Sequence, residues 1–92
     1  MSDSLLAERW RKARTDGRAA LITYLTAGYP TPTDFVAALT AVTAAGADII
    51  EVGLPFSDPL ADGPVIQRAT HAALEQGVGV RRSLDLIAEA NV

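Results

Sequence analysis

Residues 47–64 read ADIIEVGLPFSDPLADGP. The opening ADIIEVG is nearly continuous in apolar, β-favouring residues, the pattern of a strand held inside a parallel sheet. Glu51 interrupts it. Side chains alternate along a strand, so Ile49, Glu51 and Gly53 share one face while Ile50 and Val52 take the other. A carboxylate inside a sheet is costly unless paired, hydrated or partly neutralised, and desolvation tends to raise its pKa. A glutamate so placed serves as both acid and base near neutral pH. A salt bridge to an arginine satisfies the same position. Two features favour the chemical reading: active sites of parallel α/β proteins lie at the C-terminal strand ends, and the loop that follows is too specialised for a plain connector.

That loop, LPFSDPLADGP, is stiffened by Pro55, Pro59 and Pro64, while Ser57, Asp58 and Asp62 can hydrogen-bond to nearby backbone. A rigid surface turn satisfies the same residues. Asp62, followed by Gly63 and Pro64, is placed to cap the next helix, and spacing alone favours that role. Phe56 at the tip either folds back on the core or docks on a partner.

Outward from this stretch, the chain alternates between the two periodicities. The spacing of Leu5, Leu6, Trp10 and Ala13 predicts an amphipathic helix from Ser4 to Arg14, stopped by Gly17. The run AALITYLTAG is a strand ending at Gly28 and Pro30, expected to be buried on both faces. Thr31 as N-cap, Pro32 at the first helical position and Asp34 at the third open a helix whose buried stripe is Phe35, Leu39 and Val42 and whose stop is Gly46. Beyond the loop, Val65, Ala69 and Ala72 or Ala73 mark a third helix ending at Gly77. Val80, Leu84 and Ile87 mark a fourth. Two apolar strands joined by a capped helix form a βαβ unit, and its parallel sheet needs covering on both faces.

Composition narrows the possible functions. With 92 residues there is room for one core. An apolar fraction of 49% against 21% charged excludes intrinsic disorder. The net charge of −3 leaves no basic surface for nucleic acid, and the clusters around Arg9 to Arg14 and at Arg81 and Arg82 read as solvated helix faces. There is no cysteine, so no thiolate metal site arises, and the one histidine, His71, reads as a structural or solvent-facing residue, with no Ser/His/Asp arrangement recognised around it. None of the seven glycines forms a phosphate-cradling pattern. The N-terminus carries charge where a signal peptide needs an apolar run, and no segment approaches membrane-spanning length, so a cytoplasmic protein with no membrane contact is expected.

The run AGADIIEVGLPFSDPLADGPVIQRAT, preceded by ITYLTAGYPTP, closely resembles the N-terminal part of the tryptophan synthase alpha subunit family, and the likeness extends from about Ala20 onward. The resemblance implies an α/β fold, the N-terminal βαβα portion of a TIM (β/α)8 barrel with an extra N-terminal helix. It implies a carbon–carbon lyase of tryptophan biosynthesis that cleaves indole-3-glycerol phosphate to indole and glyceraldehyde 3-phosphate by a retro-aldol reaction. The implied partner is a pyridoxal-phosphate-dependent beta subunit in a heterotetramer, with no cofactor or metal on the alpha chain itself.

By the same resemblance Glu51 is the general acid–base that protonates the indole ring carbon and takes the glycerol hydroxyl proton. Asp62 is the catalytic aspartate that holds the indole N–H, which overrides the capping role that spacing favoured. Tyr24 lines the indole pocket, and Pro55, Phe56 and Asp58 belong to the loop facing the beta subunit. A barrel of this kind needs about 250 residues and eight strands. Residues 1–92 are therefore expected to form a partial barrel domain without the late phosphate-binding loops, inactive alone. The alternative expectation is a non-catalytic piece that complements a second fragment or docks on the beta subunit.

Overall fold

The computed structural model describes residues 4–56 and 62–92. Six elements follow one another: α1 (Leu5–Thr15), β1 (Ile22–Thr26), α2 (Pro32–Ala44), β2 (Ile49–Gly53), α3 (Pro64–Glu75) and α4 (Val80–Ala90). The strands pair in parallel, with Ile22 opposite Ile49, Tyr24 opposite Glu51 and Thr26 opposite Gly53. Ladder bonding extends one residue further at the top, where the Ala27 N–H donates to the Gly53 carbonyl at 3.0 Å.

The caps fall where local chemistry put them. Ser4 accepts from the Ala7 N–H and Thr31 from the Asp34 N–H, both at 3.1 Å, each satisfying one of the free amides that open a helix. Pro32 lies in the first turn of α2, where a missing N–H costs nothing.

The core lies on one side of the sheet. Ala27, Phe35, Leu39, Ala73, Val78 and Leu86 form its buried centre, and Leu25, Val36, Ile50, Val52, Ile87 and Ala90 pack around it. Strand alternation accounts for the division, since Leu25, Ile50 and Val52 all point toward α2, α3 and α4. The opposite face is open: Ile22 and Tyr24 are each 43% exposed, and Glu51 is exposed beside them. Both strands are thus covered on one face only, contrary to the expectation of burial on both. Helices α2, α3 and α4 pack onto a single side, and two strands cannot curl far enough to cover the other.

Helix α4 departs from the expected stripe. Ser83 and Leu86 are its buried residues, with Ile87 and Ala90 packed beside them, whereas Val80 and Leu84 are 50% and 55% exposed. The face built on positions i, i+3, i+4 and i+7 from Ser83 won the contact with α2. Ser83 tolerates burial because its hydroxyl donates to the Gly79 carbonyl at 2.6 Å. In α3 the buried residues are Ala69, Thr70 and Ala73, and Val65 stays exposed. Leu5, Leu6 and Trp10 of α1 are also exposed, and Leu5 and Leu6 edge an open groove against Ala47, Asp48, Ile49 and Ile50.

Gly28 fixes the turn from β1 toward α2. Its φ is +81°, and a Cβ there would sit 2.7 to 2.9 Å from the buried Val78 side chain. Gly28→Ala combines left-handed strain with overpacking and is expected to cost about 2–4 kcal/mol. Urea unfolding checks it through a lowered midpoint at unchanged slope. Adding Val78→Ala should recover part of the loss.

Candidate active site

Glu51 is the central residue of β2, and its side chain stands on the open face beside its register partner Tyr24. Gly53 follows on the same face, and the Tyr24 ring reaches diagonally across to it. A Cβ on Gly53 would fall within the envelope of the Tyr24 hydroxyl and 2.6 Å from ring carbon Cζ. The upper end of the sheet therefore carries a carboxylate, an aromatic wall and a bare backbone patch together. The burial that was expected to surround Glu51 is absent. Glu51 also has no ion pair among the described residues.

The arginine–carboxylate pair that the sequence allowed for Glu51 exists at Asp48 instead. Arg18 grips Asp48 with both guanidinium arms, Nη1 to Oδ2 at 2.7 Å and Nη2 to Oδ1 at 2.9 Å, and the Leu21 N–H donates to Oδ2 at 2.7 Å. This pair ties the segment after α1 to the N-terminal end of β2, the end of the sheet that supports stability in such folds. Sequence reasoning passed over it. The available signal was an aspartate inside an apolar run, with a basic residue just after Gly17.

Hydrogen bonding to Arg18, then to the Leu21 amide, holds the Asp48 carboxyl far below the usual carboxylate range. A depressed folded-state pKa makes this contribution fully present above the unfolded value of about 4, and it is lost as pH falls toward the folded value. Asp48→Asn is therefore expected to lower stability at neutral pH and to flatten its decline below about pH 4. Urea midpoints measured from pH 7 to pH 2 check this. Parallel curves for the two proteins would contradict it.

Asp62 lies just before α3 and is partly buried. The N-cap of α3 is Gly63, with no side-chain capping bond, so Asp62 does not cap the helix as its spacing favoured. Its backbone carbonyl accepts from Gln67 Nε2 at 2.7 Å, which fixes the chain at that point and leaves the carboxylate out of the helix end. Pro55 is fully buried within the chain and stiffens the strand exit, while Phe56 beside it is 53% exposed. Asp58 lies outside the described residues. His71 is exposed on α3, 3.1 Å from Glu75 one helical turn on. Among the described residues no group of three acidic or histidine side chains converges to hold a metal. None of the described helices is long and apolar enough to cross a membrane.

Parallel βα units with a carboxylate on the uncovered strand face, and a second just before the next helix, are the arrangement of a segment of an α/β barrel. The sequence model of the tryptophan synthase alpha chain matches residues 10–92. The chain is 58% identical over 88 residues to the tryptophan synthase alpha chain of Nitratidesulfovibrio vulgaris strain DP4, covering 96% of this chain and 34% of that one. It is 49% identical over 88 residues to the Bordetella pertussis protein of the same name, covering 96% and 31%. Among solved structures, ligand-free tryptophan synthase from M. tuberculosis superposes with a TM-score of 0.87 at 52% identity, covering 96% of this chain and 35% of that one. The alpha subunit from Legionella pneumophila strain Paris superposes at 0.91 with 34% identity, covering 97% and 34%.

The chain belongs to the tryptophan synthase alpha chain family. It spans about a third of the length of the relatives it matches. Its fold is the βαβα portion of a TIM barrel preceded by a helix.

Proposed function

We propose that this chain contributes the acid–base carboxylates of a cytoplasmic carbon–carbon lyase that splits indole-3-glycerol phosphate into indole and glyceraldehyde 3-phosphate. The observation that carries this reading is Glu51, exposed on the open sheet face and paired in register with Tyr24. Cleavage requires the ring to accept electrons, so Glu51 first gives its proton to the ring carbon bearing the side chain. Asp62 accepts the indole N–H and offsets the positive charge that develops on the ring. Glu51, now ionised, takes the proton of the adjacent glycerol hydroxyl. The carbon–carbon bond breaks, its electron pair restores the aromatic ring, and the hydroxyl carbon becomes the aldehyde. Tyr24 flanks the ring during this exchange.

Residues 1–92 act in this reading as part of one barrel domain whose phosphate-binding loops lie elsewhere. The indole passes to a pyridoxal-phosphate-dependent beta subunit; the exposure of Phe56 supports docking there, and Pro55 and Asp58 are assigned to the same interface by family resemblance. The exposed apolar faces of β1 and α4 support a second reading, in which the chain acts by complementing another fragment.

A chimera tests the lyase reading: this segment replaces the matching 88 residues of the 58%-identical relative. The lyase reading expects indole release from indole-3-glycerol phosphate, lowered in Asp62→Asn by about 10²-fold or more. A folded chimera that forms no indole would overturn it.

A further inference from the structure

Tyr24 and Gly53 are not register partners, yet they meet. Tyr24 lies opposite Glu51, while Gly53 lies one same-face position further along β2. The ring leans along the strand so that its Cζ and Cε2 fall 2.6 and 3.2 Å from where a Gly53 Cβ would stand. Gly53 is partly buried although it has no side chain, and Tyr24 keeps 43% of its surface exposed. One side of the ring is thus seated and the other is free.

No turn demands a glycine at this position, because Gly53 ends a strand and its φ lies outside the left-handed range. The close approach of the ring is what excludes a side chain. We propose that Gly53 is a positioning residue: the space above its α carbon seats Tyr24 and sets its side chain as a fixed wall beside Glu51, against which a flat aromatic substrate ring would lie. This rests on the lyase reading for the identity of the ring, and on the packing alone for the seat. Any side chain at position 53 pushes Tyr24 off its seat and moves the aromatic wall beside Glu51. Substrate binding is then affected more than the proton transfers.

Two measurements test the proposal separately. In the 92-residue chain, proton NMR should find the Gly53 α protons shifted by the Tyr24 ring current, and Tyr24→Leu should return them to ordinary glycine positions. In the chimera, Gly53→Ala should raise KM for indole-3-glycerol phosphate by about tenfold with a smaller change in kcat. Gly53→Ala combined with Tyr24→Leu should be no worse than Tyr24→Leu alone, because both changes then act through one ring. Gly53 α protons that ignore Tyr24→Leu, or additive effects of the two substitutions, would overturn the proposal. If the chimera makes no indole, the lyase reading falls while the NMR comparison still decides whether Gly53 seats the ring.

Discussion

Glu51→Gln in the chimera is expected to lower kcat for indole formation by about 10²–10⁴-fold, the range for losing a positioned general acid–base group. KM should change little, because the amide keeps the shape and polarity of the carboxyl while losing the exchangeable proton. Folding should be untouched. Glu51 is exposed and has no ion pair among the described residues, so its replacement leaves no buried charge behind. This separates the substitution from one at Asp48, where two guanidinium bonds and an amide bond would be lost together. Steady-state kinetics with a thermal melt on the same sample checks both parts. A mutant with more than about a tenth of normal kcat would remove Glu51 from the chemistry.

Phe35→Ala is expected to give the largest loss of stability, about 3–5 kcal/mol. Phe35 is fully buried in the first turn of α2 and belongs to the core cluster that also contains Leu39, Val78 and Leu86. Its removal takes away both transfer energy and the contacts of the residues around it. Domains of this size are stabilised by only about 5–15 kcal/mol in total. This chain also leaves one sheet face uncovered, so the mutant should be substantially unfolded at 37 °C. Circular dichroism during urea titration reads the change. Phe35→Leu, which keeps most of the volume, should cost much less, and equal losses for the two variants would contradict the packing account.

Local signals in the sequence located most of the fold. Thr31, Pro32 and Asp34 define the start of α2 through backbone chemistry confined to one turn, and Phe35 and Leu39 mark its inner face by spacing. Glu51 stood out because a strand otherwise made of Ile and Val had to hold a charge. What stayed hidden depends on residues far apart in the chain. The Arg18–Asp48 pair spans 30 positions, and no periodicity connects an arginine after a helix to an aspartate before a strand. Tyr24 and Gly53 meet only once the register of β1 against β2 is known. In α4 the sequence offers overlapping apolar stripes, and only the position of α2 selects Ser83 and Leu86 over Val80 and Leu84. Asp62 carried a capping signal that Gly63 took over, because the turn into α3 begins one residue later than spacing suggested.

The central claim is that Glu51 delivers a proton to the indole ring carbon. Following indole by proton NMR in D2O with the chimera tests this step without the phosphate-bearing product. The account predicts that the C3 proton signal of indole decays while the other ring proton signals persist, at a rate well above the uncatalysed exchange, and that Glu51→Gln returns the decay to background. Exchange at C3 that proceeds equally fast in Glu51→Gln would contradict it.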